Sequence, residues 1–143
     1  MRMPCLALLL LSTGCLPFSA PFHIYDVSAA GPTSPIPCRV KVHFGWQSAS
    51  ITARPPEGEV FTATFAMNPE PPDRSMAALW DRIYGGGYFE AKVLGSRQHF
   101  RVTLKGDQGH ELQMEVHQPP GLDRSGVEGV AVGSGGRLYK VGY

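Results

Sequence analysis

The sequence predicts a mainly β protein: a single antiparallel meander curled into a small barrel or sandwich, with one short helix around residues 75–84. Three observations predict it. From Arg39 onward, apolar and polar residues alternate with period two in run after run, the pattern of strands with one buried and one wet face. Glycine-containing turns separate several of those runs at hairpin spacing. The chain of 143 residues holds 17 Gly and 13 Pro, with 43% hydrophobic and 17% charged residues, so it is globular yet too rich in turns for a helical bundle. Its length fits one domain with one modest core.

The elements follow in order. Residues 23–27 allow a short strand. In residues 39–44, Val40, Val42 and Phe44 face away from Arg39, Lys41 and His43. In residues 59–67, Phe61, Ala63, Phe65 and Met67 alternate with Thr62 and Thr64. Residues 73–84 change period: Asp73 or Ser75 can cap a helix, Met76, Leu79, Trp80 and Ile83 share one helical face, and Gly85, Gly86 and Gly87 end it. Such a helix is placed to plug an end of the barrel. Strand alternation resumes in residues 88–94 with Phe89, Ala91 and Val93, in 99–105 with Phe100, Val102 and Leu104, and in 110–117 with Leu112, Met114 and Val116. Residues 127–132 and 138–143 complete six or seven strands, the last with Tyr139, Val141 and Tyr143 on one face. Turns at residues 106–109 and 133–136 supply positive-φ glycines for hairpins, and residues 95–98 suggest a third. Closing the sheet would leave few open edges.

The N-terminus reads as an address. Arg2 gives a basic start and residues 3–11 a short apolar stretch, well below the ~20 apolar residues that span a bilayer. Leu11-Ser12-Thr13-Gly14-Cys15 then resembles a bacterial lipobox, although the leucine usual three places before the cysteine is Ser12 here. The division this implies is a lipoprotein signal peptide over residues 1–14, a lipidated N-terminus and Pro-rich tether over 15–37, and a β-rich domain over 38–143. Acyl chains on the Cys15 sulfur would tie the protein to a membrane. In lipoproteins of this kind an Asp after the cysteine favours inner-membrane retention; Leu16 stands there, which implies the periplasmic face of the outer membrane. With Cys5 gone and Cys15 acylated, Cys38 has no intrachain partner and reads as a small buried residue. Lys and Arg number 13 against 12 Asp and Glu, and Arg2 leaves with the signal. A neutral mature domain gives no electrostatic reason to expect nucleic acid or an anionic membrane surface as a partner.

Few residues suggest chemistry. His43, His99, His110 and His117 fall on the polar parity or at strand edges, where histidine is ordinarily solvated, and no two histidines stand two or four apart. Neither a metal site nor a cofactor is expected. Ser134 lies in a hairpin turn rather than a nucleophile elbow, and the three glycines after Tyr84 are followed by no Lys-Ser or Lys-Thr, so an enzyme is the weaker reading. The aromatic stretch is more informative. Trp80, Arg82, Tyr84 and Tyr88 gather the residue types of interface hot spots around a glycine turn. Trp80 and Phe89 equally suit a core, leaving Tyr84 and Tyr88 as the exposed members.

"GEVFTATF", "WDRIYGGGYFEAKVLGS", "LKGDQGHELQMEV" and "VEGVAVGSGGRLYKVGY" together resemble a group of small uncharacterised proteobacterial lipoproteins, with Gly86 where that group has proline. The resemblance implies an envelope lipoprotein and carries no activity. Ser134-Gly135-Gly136-Arg137-Leu138-Tyr139 is also similar to the inhibitory loop of the C-type periplasmic lysozyme inhibitors, with one residue more and no disulfide pair; Ser134, Gly135, Arg137 and Tyr139 would be its members. The sequence thus favours a lipid-anchored, non-enzymatic binding or accessory module for another envelope protein. A lysozyme inhibitor-like protein is the alternative, and a small-ligand-binding β-barrel or minor enzyme a further one.

Overall fold

A computed structural model describes residues 17–31, 33–119 and 126–143; the signal peptide expected over residues 1–14 and the expected lipidation site Cys15 lie outside the described residues. Eight strands form one antiparallel meander: β1 (Phe18–Asp26), β2 (Ile36–Val42), β3 (Ser48–Ala53), β4 (Phe61–Ala66), β5 (His99–Gly106), β6 (Glu111–His117), β7 (Glu128–Gly133) and β8 (Leu138–Gly142). Each pairs with the next, and β1 pairs with β8, so the sheet is a closed barrel.

Alternation decides which side faces in. Across β5 and β6 the inward pairs are Phe100 with Val116, Val102 with Met114 and Leu104 with Leu112. Across β3 and β4, Ala49, Ile51 and Ala53 lie opposite Phe65, Ala63 and Phe61, small residues making room for rings. Cys38 is buried on this inner side, opposite Phe22 and Ala53 in register, and burial pushes its thiol up to about 12. It is therefore protonated and unreactive at neutral pH.

One end of the barrel holds the start of β1, the β2–β3 turn and the β4–β5 connection. The other, the hairpin end, holds the β5–β6 and β7–β8 turns. These two turns form as expected: Gly106 and His110 close the first, Gly133 and Arg137 the second, with Gly109 and Gly136 at positive φ.

Four expectations change. The stretch 15–37 is not a tether throughout, because β1 occupies Phe18–Asp26 and buries Phe22 and Ile24 in the barrel. Pro21 is tolerated there because residues 18–22 pair with β2 alone, β8 joining only from His23, and a proline suits a partly unpaired edge. Residues 88–94 are not a strand: Phe89–Val93 form one turn of π-helix, since Phe89 and Val93 also share a helical face. Consequently residues 95–98 lead from helix into β5 and make no hairpin. Finally, the helix α1 (Ala77–Tyr84) does not plug an end. It lies on the outer wall, where Trp80, Phe89 and Val93 pack with Val130, whose neighbour Ala131 faces inward.

Gly129 shows how tightly the wall is built. A Cβ there would stand 2.6 Å from the Glu115 carbonyl oxygen and 2.9 Å from the Val141 Cβ. Overpacking against backbone cannot be relieved by a rotamer change. Gly129→Ala should therefore lower stability by roughly 1–3 kcal/mol in urea unfolding; an unchanged midpoint would contradict this packing.

Candidate functional site

Two places gather polar or aromatic side chains: the wall under α1, and the mouth at the hairpin end. On the wall, outward parity places His99 and Arg101 on β5 beside Glu115 and His117 on β6. The helix then covers them. Asp73 caps the turn that begins it by accepting from the Ser75 N–H, and the apolar face predicted for residues 76–83 turns inward. Trp80 becomes fully buried and its indole N–H donates to Glu115 Oε2 at 3.1 Å.

Glu115 is the centre of this cluster. Arg101 Nε donates to its Oε1 at 3.0 Å, and His99 Nε2 stands 3.4 Å from Oε2. The other His99 ring nitrogen stands 3.0 Å from the Glu70 carbonyl oxygen. Burial alone would raise the Glu115 pKa, but hydrogen bonds from His99, Trp80 and Arg101 outweigh it and hold the carboxyl below its ordinary value. His117 differs. It is fully buried, edge-on to the Trp80 ring at 5.2 Å, with Tyr88 Oη 3.4 Å from its Nε2. Burial, aided by the charge of His99, pushes its pKa down to about 4. The expectation that these histidines are solvated fails for His99 and His117, since their outward parity meets a helix instead of water.

The expected interaction surface is partly consumed by the fold. Trp80, Tyr84 and Tyr88 do come together, with Tyr84 and Tyr88 stacked at 4.7 Å and Trp80 5.5 Å from Tyr84. Yet Tyr84 and Tyr88 are half-buried rather than exposed. The Tyr84 hydroxyl accepts from the Gly129 N–H at 3.0 Å and lies 2.8 Å from the Val141 carbonyl, fastening the helix to β7 and β8. Arg82 alone of the four is exposed. His99 and Glu115 form a buried polar contact, their nearest side-chain atoms 3.4 Å apart. Sealed beneath Trp80, it holds structure.

The mouth is a different environment. A cavity of about 320 Å³ opens at the hairpin end between apolar walls that include Ile24, Ile36, Phe61 and Leu112. Tyr139 stands in its wall, while Ser134, Gly135 and Arg137, the members of the inhibitor-like loop, are exposed at its rim. Glu59 fixes the rim opposite: its Oε1 accepts from the Gln108 N–H at 2.7 Å and the His110 N–H at 3.1 Å, and its Oε2 meets the His110 ring at 2.7 Å. Desolvation pulls the Glu59 pKa upward, but these hydrogen bonds bring it below its ordinary value.

No family model, curated protein or solved structure matches the chain.

Among the described residues no three His, Cys, Asp or Glu side chains stand together as a metal site. An apolar cavity of this volume with a cation and a hydroxyl at its rim suits the apolar portion of a ligand, its polar end meeting Arg137 or Ser134. The Glu115 cluster was not foreseen from the sequence, and of the mouth only Ser134, Gly135, Arg137 and Tyr139 were, as the inhibitor-like loop. The signal for the first lay in the amphipathic helix, whose face needed a covered patch of wall.

His117 makes the cap sensitive to pH. Between pH 6.5 and about 4 the unfolded chain takes up a proton that the folded ring refuses, so stability falls as pH falls through that window. The full shift amounts to about 3 kcal/mol. Urea midpoints measured across this range should drop in the parent chain and drop less in His117→Phe; equal slopes would refute the assignment.

Proposed function

We propose that the chain is a lipid-anchored protein of the bacterial envelope, held by acylated Cys15 on the periplasmic face of the outer membrane. It acts there as a non-enzymatic binding or accessory module for another envelope component. Its working end is the mouth, with the rim residues Ser134 and Arg137 making the contacts and the cavity receiving an apolar group.

The observation that carries this reading is the polarity of the barrel. β1 begins at Phe18, three residues after Cys15, whereas the cavity opens at the far end of the same strands. An anchor at one end leaves the other free. The apolar residues 3–11 and the lipobox-like run to Cys15 support the address, and the balanced charge of the mature chain gives nucleic acid no role. The wall under α1 is a poorer candidate, because Trp80 is buried and Tyr84 is engaged with main chain.

The address is tested first. Mass spectrometry of the mature N-terminus should find a diacylglyceryl cysteine at position 15, and labelled palmitate should enter the parent chain but not Cys15→Ala; an unlabelled parent chain would remove the anchor. The working end is tested by capture from solubilised envelopes. Ser134→Glu with Arg137→Glu should weaken recovery of a specific partner roughly tenfold or more, the scale of a lost hot spot. Arg82→Glu on the cap should leave recovery unchanged. If the Arg82 variant loses the partner and the rim variant keeps it, the cap is the interface.

A further inference from the structure

We propose that the barrel end next to Cys15 rests directly on the membrane, with Phe18, Phe44 and Trp46 in the lipid headgroup interface and Arg39 and Lys41 against anionic headgroups. This rests on the reading of Cys15 as the lipid anchor.

Chain length makes the contact hard to avoid. Three residues from Cys15 to Phe18 span at most ~11 Å even when fully extended. Because β1 is locked in register with β2 from Phe18 onward, no slack follows. Acyl chains on Cys15 therefore bring this end to the bilayer instead of holding the domain away from it.

What stands at that end suits an interface. Among the described residues the exposed large hydrophobic side chains are Phe18 (44%), Val27 (44%), Phe44 (73%), Trp46 (44%) and Tyr143 (52%). Only Val27 is at the hairpin end; Phe18 opens β1, Phe44 and Trp46 form the β2–β3 turn, and Tyr143 follows β8. The Phe18 and Trp46 rings meet at 5.6 Å. The turn that presents them is a forced one, since Gly45 has φ 79° and Trp46, a bulky residue, has φ 57°. A left-handed tryptophan beside an exposed phenylalanine is an arrangement that burial in the barrel does not explain, and aromatic rings with a polar edge favour the headgroup region.

Charge points the same way, although the net charge hides it. From β1 to β4 the only strand carboxylate is Asp26, at the hairpin end. Arg39 and Lys41 project from the outer face of β2 and, with Arg54, line a shallow basic depression across β1–β3. None of the three makes an ion pair among the described residues. Lys41 stands three residues before Phe44, close enough for both to meet one surface, with the longer Arg39 side chain behind it. A barrel leaning on this side needs no overall positive charge to meet an anionic bilayer.

The chain contains 2 tryptophans, Trp46 and Trp80, and this makes the test direct. Trp80 is fully buried under the helix and serves as an internal reference. The mature lipidated protein is reconstituted into vesicles of phosphatidylethanolamine and phosphatidylglycerol, with and without acyl chains brominated near the headgroup. Brominated lipid should quench the Trp46 component severalfold and shift it to the blue, leaving only unquenched Trp80 emission in Trp46→Phe. Phe18→Ser with Phe44→Ser should weaken the quenching severalfold while the protein still floats with the vesicles and Trp80 emission is unchanged. Lys41→Glu, at an exposed position, should weaken it in vesicles containing phosphatidylglycerol but not in phosphatidylethanolamine with phosphatidylcholine. Floating protein whose Trp46 emits as in water, equally with and without bromine, overturns the docking and leaves the anchor standing. Absence of acyl mass on Cys15 overturns the anchor, and the docking with it.

Discussion

One carboxylate, Glu115, is held out of water on the outer wall of the barrel, and the long connection between β4 and β5 is organised around it. Strand parity would leave this side chain in solvent. Covering it without donors would cost several kcal/mol, so the cover has to bring partners. It brings Trp80 from above, while β5 supplies His99 and Arg101 from the side. Arg101 also reaches Asp73, which caps the first turn of the helical segment, so the start of the cover is tied to the group it covers. Tyr84 fastens the other end to the main chain of β7 and β8. The connection is thereby part of the wall instead of a free loop.

Much of the barrel was legible because its strands are half wet. β5 and β6 alternate between Phe, Val, Leu or Met and polar or charged residues, and Gly109 supplies the positive φ of their hairpin. β3 was not seen because its inward residues are Ala49, Ile51 and Ala53, two of them too small to raise an alternation above the serines and threonine between them. Of β1 only the second half was expected, as the short strand over residues 23–27, because Pro17 and Pro21 normally mark coil; here Pro21 falls where a strand lacks one neighbour, a circumstance known only once β8 is in place. The π-turn at Phe89–Val93 could not be told from a strand, since Phe89, Ala91 and Val93 satisfy period two while Phe89 and Val93 also satisfy a helical repeat.

The candidate site was legible in its residue types and not in their surroundings. Trp80, Tyr84 and Tyr88, close in sequence, do stand together in the fold. Whether a group of rings faces a partner or its own barrel depends on what the opposite surface carries, and Glu115 and His117 are distant in sequence and look like ordinary wet-face residues. The mouth was less legible still. Ile24, Ile36, Phe61, Leu112 and Tyr139 come from five strands, and only closure of the sheet makes neighbours of them.

That closure has an order built into it. Every other pairing in the barrel joins strands adjacent in sequence, but β1 with β8 joins the first strand to the last. Loop-closure entropy makes this the costliest contact to form, whereas hairpins such as β5–β6 need only a few residues brought together. The remaining seven strands can assemble as an open meander whose two edges await β1, and until it enters, Ile24 has no partner in Val141. The strand nearest the N-terminus is thus the one that latches the barrel, and any force pulling on that end acts first on the seam whose formation is most expensive.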